Sequence, residues 1–163
     1  MNLVIARATV DDVGQADALI REAADWLIQK GEPLWGPNET SYEDLLSVAR
    51  AGELVLGRIH DETVTCMFLH NEDRLFWPQV AFGEAFYIHR LAVKRRYAGR
   101  GLAHAMLDWA VREARAKGRA FLRLDCEPRA KLLALYKSAG YLRIDPAPIQ
   151  VGEHFVVRHE KRV

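Results

Sequence analysis

The chain has 163 residues, of which 50% are hydrophobic and 28% are charged, and 23 Lys and Arg residues nearly balance 22 Asp and Glu residues. This composition is typical of a globular protein, and the near-neutral charge argues against a nucleic-acid backbone as the main partner. A chain of this length buries enough surface for one self-sufficient core, so we expect a single domain over residues 1–163.

The beginning of the chain and its cysteines exclude several further classes. No stretch approaches the about 18 uninterrupted apolar residues of a transmembrane helix, and residues 1–7 lack the pattern of a signal peptide. Cys66 and Cys126 show no CxxC spacing, and the histidines show no ligand spacing. We therefore expect a cytoplasmic protein with no membrane partner, no disulfide framework and no metal.

The first half of the sequence predicts a strand, two helices and a hairpin. Helical spacing of apolar residues begins at Val13, and Ser41 with Asp44 marks the start of a second helix. The predicted elements, in chain order, are a strand over 3–7, helices between 9 and 31 and between 41 and 52, strands over 54–60 and 63–70 joined at Asp61-Glu62, and a loop over 71–83 with an apolar tip at Leu75, Phe76 and Trp77.

The second half predicts a crossover of strand, helix and strand, followed by further strands. The predicted elements are a strand over 85–93, a helix from Leu102 to about Lys117, a strand over 121–125, a helix from Pro128 to Ala139, and strands over 141–144 and 154–159. Strands followed by a later βαβ crossover predict a mixed α/β (α+β) sandwich around one sheet.

The most informative segment is the turn that joins the strand ending at Val93 to the next helix. It contains Gly99 and Gly101 and lies in a basic cluster of Lys94, Arg95, Arg96 and Arg100. Glycines before a helix let backbone N–H groups approach an anion, and the helix dipole adds to the attraction. The segment therefore predicts a phosphate site.

Two common phosphate motifs fit this turn poorly. A P-loop ends in Gly-Lys-Ser/Thr, whereas the chain reads Gly101-Leu102-Ala103. A dinucleotide fingerprint places Gly or Ala where His104 stands, although Asp125 superficially resembles its acidic ribose ligand.

The turn instead resembles the pyrophosphate-binding motif of the GNAT superfamily of acyl-CoA-dependent N-acyltransferases. The matching residues are Arg96-x-x-Gly99-x-Gly101 after Leu91-x-Val93. A second signature of that family, Leu-Tyr-x-x-x-Gly-Phe/Tyr, is similar to residues 135–141. The resemblance covers about residues 87–144, and the order of the upstream elements fits too.

The resemblance implies a GNAT fold, with one mixed, mostly antiparallel sheet, helices on both faces and a splayed pair of strands ending at Val93 and Asp125. The resemblance also implies acetyl-CoA as the acyl donor. The pantetheine would pair with the backbone of Leu91, Ala92 and Val93 like an added strand. The pyrophosphate would lie against the backbone from Arg96 to Leu102, that is, along Tyr97, Ala98, Gly99, Arg100 and Gly101. The side chains of Lys94, Arg95 or Arg100 could also meet the phosphates. One departure from the family pattern is Arg129, where the family commonly has Asn.

Two residues are candidates for proton transfer. The resemblance implies Tyr136 as the acid for the leaving thiolate, since a phenol of pKa about 10 stays neutral at pH 7. Packing of Tyr136 in its helix is the alternative.

His89 is the candidate base. Period-two alternation places it on one strand face with Tyr87, Leu91 and Val93. Some family members carry a suspected base at the position of His89, and the ordinary histidine pKa of about 6.5 suits that task. A half-buried structural histidine is an equal alternative. Glu84, Glu127 and Tyr87 are fallback bases, and an amine that arrives deprotonated needs none.

The acceptor site in such a fold is usually built from the first two helices and nearby loops. Trp35, Trp77, Trp26 and Phe76 are candidates for its walls, and Glu32, Glu39 and Asp44 for attracting an ammonium group. Core packing and plain solvation are the alternatives for these residues, and Cys126 is expected to be a small buried hydrophobe.

The sequence thus predicts an N-acetyltransferase that moves acetyl from acetyl-CoA to a primary amine of a small molecule, by direct attack in a ternary complex. A peptide amine is an open alternative, and the resemblance also favours a homodimer. The alternative from another class is a non-catalytic acyl-CoA-binding module that regulates a partner protein.

Overall fold

The computed structural model describes residues 1–36 and 39–163. The helices are α1 (Val13–Gln29), α2 (Tyr42–Arg50), α3 (Leu102–Ala116) and α4 (Ala130–Ser138), with short 3-10 turns at Val10–Asp12 and Arg95–Tyr97. The strands are β1 (Val4–Arg7), β2 (Leu54–Ile59), β3 (Glu62–His70), β4 (Ala85–Val93), β5 (Phe121–Cys126), β6 (Leu142–Arg143), β7 (Ile149–Val151) and β8 (His154–Arg162). Among the described residues, no helix is long and apolar enough to cross a membrane.

The chain divides into two compact units. The first unit contains Met1–Phe68 and Arg90–Met106, and the second contains Leu69–His89 and Leu107–Val163. Strands β3 and β4 and helix α3 therefore contribute residues to both units. That the whole chain behaves as one domain stays a prediction.

The strands form a mixed, mostly antiparallel sheet in the order β1-β2-β3-β4-β5-β8-β6, with β7 paired to β8. The parallel pairing of β4 with β5 runs from Ala85 opposite Phe121 to Tyr87 opposite Arg123 and ends there. The predicted fold class is confirmed, and His89 lies two residues past the last of these pairs. A splay of the two strands beyond this point stays a prediction.

The first unit buries one face of α1 and α2 against β2 and β3. Its core includes Val13, Ala16, Leu19, Ile20, Leu45, Ala49, Leu54, Leu56, Cys66 and Phe68. Helix α2 begins with a complete capping box, in which the Asp44 N–H donates to Ser41 Oγ at 3.1 Å and the Ser41 N–H donates to Asp44 Oδ2 at 2.9 Å. The periodicity and the capping residues therefore placed both helices correctly.

The second unit corrects the prediction of an apolar loop tip. Phe76 is 9% exposed and Trp77 is 6% exposed, and both belong to a core cluster with Ala85, Tyr87 and Val156. Of the three predicted tip residues, Leu75 alone projects into solvent. The aromatic pair faces inward because burial of two large rings gains more than exposure at a loop tip.

Two backbone features also differ from the sequence expectations. The hairpin turn is His60-Asp61, one residue earlier than predicted, and both residues have positive φ, 46° and 62°. In β4, Arg90 has a φ of 53°. A left-handed residue interrupts the two-residue repeat of a strand, so the predicted shared face of His89, Leu91 and Val93 is wrong.

Candidate active site

The turn before α3 has an open, donor-rich backbone in the first unit. Gly99 and Gly101 adopt φ of 76° and 78°, and a Cβ built at either position would meet no atom within 4 Å. Among the described residues, no backbone carbonyl accepts from the N–H groups of residues 99–103. These N–H groups at a helix N-terminus are suited to an anion.

Two of the four basic side chains around the turn, those of Lys94 and Arg96, pair with one carboxylate within the first unit. Lys94 Nζ lies 2.7 Å from Glu62 Oε1, the Tyr97 hydroxyl donates to Glu62 Oε2 at 3.0 Å, and Arg96 pairs with the same carboxylate. The hydrogen bonds from Lys94 and Arg96 lower the pKa of Glu62 to about 2. The glutamate therefore stays ionised and neutralises part of the basic cluster.

The remaining two basic residues contact aromatic rings. The Arg95 guanidinium lies 3.5 Å from the centre of the Trp26 ring, and the Arg100 guanidinium lies 5.3 Å from the centre of the Tyr97 ring. Both residues are exposed, and within 4 Å no carboxylate of the described residues pairs with the guanidinium of either Arg95 or Arg100.

The end of β4 in the first unit is held on both sides. Ala92 is buried in the core, and its carbonyl oxygen accepts from Thr65 Oγ1 at 2.7 Å. Val93 packs with Leu102 and Tyr97 against Ile59 and Val64. Their packing fixes the strand end relative to the turn, whereas pairing of Leu91, Ala92 and Val93 with a ligand stays a prediction.

His89 lies between two carboxylates in the second unit. Its Nε2 is 2.9 Å from Asp73 Oδ2, and its Nδ1 is 3.9 Å from Asp125 Oδ1. The imidazole is half-buried, with 21% of its side chain exposed, while the Asp73 and Asp125 side chains are 8% and 11% exposed. The histidine is therefore held by an acid partner rather than loosely solvated.

Sequence reasoning did not assign either aspartate to His89. Asp73 lies 16 positions from His89 in a loop with no motif, and only the fold brings the two together. Asp125 was considered only as the end of a splayed strand and for its superficial likeness to the acidic ribose ligand of a dinucleotide site. These three residues also offer ligand atoms within 4.8 Å of one another, a group that could hold a metal ion. The absence of a metal stays a prediction.

Tyr136 is buried in the second unit, with 8% of its surface exposed. Its ring centre lies 6.0 Å from that of Tyr141 and 5.8 Å from that of His159. Burial raises the pKa of the Tyr136 phenol, and the neighbouring Cys126, once its thiol ionises at high pH, and Asp125 raise it further. The hydroxyl therefore stays protonated at neutral pH and acts best as a hydrogen-bond donor to a developing anion.

The cysteines are free and buried, as expected for small hydrophobes. Burial raises the pKa of the Cys126 thiol to about 12, with a further contribution from Asp125. Burial also raises the pKa of the Cys66 thiol to about 12. Neither thiol is ionised at neutral pH, so neither is poised as a nucleophile.

The fallback bases are engaged in ion pairs or hydrogen bonds of the second unit. The buried Arg123 donates to Glu84 Oε2 at 2.9 Å and to the Tyr87 hydroxyl at 3.2 Å. Glu127 binds Arg129 at 2.7 Å. Arg129, which stands where the family commonly has Asn, therefore forms an ion pair with Glu127 two positions away.

The predicted acceptor residues have different surroundings. Trp35 is half-buried in the first unit, where the Arg90 guanidinium lies 5.4 Å from its ring centre, and Glu32 is exposed. Trp77 offers little surface because it belongs to the core of the second unit. An acceptor contact stays a prediction for Trp35 and Glu32.

A family model described as the Acetyltransferase (GNAT) family matches residues 22–141. The chain belongs to the GNAT acetyltransferases. The match includes the turn before α3 and the segment around Tyr136, so the predicted family is confirmed. The chain is 28% identical over 141 residues to the uncharacterized N-acetyltransferase YesJ of Bacillus subtilis strain 168, covering 82% of this chain and 78% of YesJ.

Solved structures share this GNAT fold. A GNAT-family acetyltransferase from Listeria monocytogenes 4b F2365 matches with a TM-score of 0.83 and 20% identity, over 99% of this chain and 95% of that chain. The protein yncA of Salmonella typhimurium, solved with its cofactor acetyl-CoA, matches with a TM-score of 0.74 and 15% identity, over 99% and 94% of the two chains. At these identities the likeness establishes the fold.

Proposed function

We propose that this acetyltransferase moves the acetyl group of acetyl-CoA to a primary amine of a small molecule, by direct attack in a ternary complex. The observation that carries the proposal is the half-buried His89, whose ring binds Asp73 in a chain of the GNAT family. An amine attacks a thioester only when its nitrogen lone pair is free, and a histidine can take the proton that blocks it.

The turn before α3 supports acetyl-CoA as the donor. A pyrophosphate carries several acceptor oxygens, and the N–H groups of residues 99–103 supply donors without a Cβ at Gly99 or Gly101. Arg100 adds a positive charge nearby. The yncA structure, solved with acetyl-CoA, belongs to the same fold.

The leaving group needs a proton or a strong hydrogen bond at its sulfur. Tyr136 is the candidate for this role because its phenol stays protonated in its buried position. The amine donates its nitrogen lone pair to the carbonyl carbon, the C–S bond breaks, and the thiolate is stabilised at the hydroxyl. No covalent intermediate with the protein is needed.

The test is acetyl transfer from acetyl-CoA to a panel of amines, with mass detection of the acetylated product. His89→Ala should lower kcat/KM about 100-fold or more, the contribution typical of general-base catalysis. His154→Ala, at an exposed histidine, is the matched control and should retain activity.

The same assay separates the alternative function. A regulatory module that binds acyl-CoA would bind acetyl-CoA and acetylate no amine of the panel. Full activity of His89→Ala would instead remove the histidine as the base while leaving the acetyltransferase in place.

A further inference from the structure

Asp73 uses its two carboxylate oxygens for two different donors. Oδ1 accepts from the backbone N–H of Phe76 at 3.1 Å, and Oδ2 lies 2.9 Å from His89 Nε2. Burial by itself would raise the pKa of Asp73, but the hydrogen bond and charge of His89 and the N–H groups of Phe76 and Leu75 lower it overall. The carboxylate is therefore ionised at neutral pH and can only accept hydrogen bonds.

This pairing determines which nitrogen of His89 carries the proton. Because Asp73 can only accept, Nε2 must donate, and the neutral ring then has its lone pair on Nδ1. We propose that Asp73 is a positioning residue that fixes His89 in its Nε2–H tautomer and makes Nδ1 the basic atom of the site. The role given to Nδ1 rests on the proposed function, whereas the tautomer rests on the 2.9 Å contact and on the ionised state of Asp73.

Asp125 is placed to stabilise the charge of His89 after the ring has taken a proton from the amine. Its Oδ1 lies 3.9 Å from Nδ1, too far for a hydrogen bond but within range of a charge interaction. In the reaction the N–H bond of the amine breaks, its electron pair stays on the amine nitrogen, and an Nδ1–H bond forms. The resulting imidazolium lies between two carboxylates, which stabilise its charge.

The isosteric variant Asp73→Asn separates this role from simple packing. The Phe76 N–H can only donate, so the amide oxygen of the new Asn side chain accepts this hydrogen bond. The amide NH2 group then points toward His89 Nε2. Nε2 must then accept, and the neutral ring carries its proton on Nδ1. The substitution keeps the shape and removes the base.

The expected order of the variants is the reverse of that for a structural role. Asp73→Ala removes the partner of the ring and leaves both tautomers accessible, so it should retain at least about tenfold more activity than Asp73→Asn, whose kcat/KM should fall about 100-fold or more. A structural role predicts that Asn, which preserves the contact with Phe76, is the milder change. Asp73→Ser, which keeps an acceptor for that N–H, replaces Ala if the Ala variant does not fold.

The deciding measurement is the tautomer of His89, read from long-range 1H–15N spectra of protein labelled with 15N-histidine at a pH where the ring is neutral. His89→Ala identifies the signal, and Asp11→Asn, the same change at an exposed aspartate, is the control. We expect Nε2–H in the unsubstituted protein and in the control, and Nδ1–H in Asp73→Asn.

The outcomes distinguish this inference from the proposed function. An Nδ1–H signal in the unsubstituted protein, or an unchanged tautomer in Asp73→Asn, overturns the inference even if amines are acetylated. The expected tautomers without acetylation of any amine uphold the positioning by Asp73 and overturn the use of Nδ1 as a base.

Discussion

Gly99 lies where a side chain should interfere most directly with the binding of a pyrophosphate. We expect Gly99→Ala to weaken CoA binding, because the added methyl group occupies the open space beside the N–H groups of the turn. A hydrogen bond to a charged group contributes about 1.5–3 kcal/mol, so the loss of one such bond lowers affinity about 10-fold to 100-fold.

The same substitution strains the backbone, and this effect must be measured separately. Gly99 has a φ of 76°, a conformation that costs a residue with a Cβ about 1–2 kcal/mol. Gly118, just after α3, has a φ of 68° and equally open surroundings. Gly118→Ala is therefore a matched control for strain, and both variants should lose about 2–4 °C in Tm for each kcal/mol.

The assay combines calorimetric titration with CoA and thermal unfolding of the three proteins. Similar losses in Tm, with weaker CoA binding in Gly99→Ala alone, would support the placement of the pyrophosphate at this turn. An unchanged affinity for CoA in Gly99→Ala, or an equal loss of CoA affinity in Gly118→Ala, would refute this placement.

Two further predictions concern the second and the first unit in turn. Tyr136→Phe should lower kcat about tenfold or more while the Kd for acetyl-CoA changes less than about twofold, because the hydroxyl assists the leaving sulfur. Tyr141→Phe, at the neighbouring ring 6.0 Å away, is the control. An unchanged kcat in Tyr136→Phe would remove Tyr136 as the acid. Glu62→Gln should lower Tm at pH 7, because the fold lowers the pKa of the Glu62 carboxyl to about 2 from an ordinary 4.5. The ionised carboxylate therefore stabilises the fold above pH 4.5, and this stabilisation is lost as the pH falls through 2. Thermal unfolding from pH 7 down to pH 2.5 checks this, and a Tm difference that does not shrink on acidification would contradict it.

Local patterns were sufficient for the main elements and for the turn. The helical spacing in α1 and the Ser41–Asp44 capping box predicted helices that the structure contains. Gly99 and Gly101 stood out because glycines before a helix let backbone N–H groups approach an anion, and the structure gives both a positive φ. The family resemblance rested on these local features, and the family match confirms it.

Contacts between distant positions could not be read from such patterns. Glu62 meets Lys94 across 32 positions, and no periodicity links the two. The φ of 53° at Arg90 also escaped prediction, because Arg90 is not a glycine and its side chain is held by Thr40, 50 positions away, at 2.7 Å. The alternation expected for β4 failed at this residue.

The sequence by itself determined the order of the four helices and of every strand except β7, which it missed. It also determined the glycine turn before α3 and the presence of His89 and Tyr136, since these depend on residue type and short spacing. The tertiary structure decided which charges meet. It paired Glu62 with the basic residues beside the turn and placed His89 between Asp73 and Asp125. The physical reason is that a hydrogen bond depends on distance in space, and only the packed core brings residues from separate segments within about 3 Å.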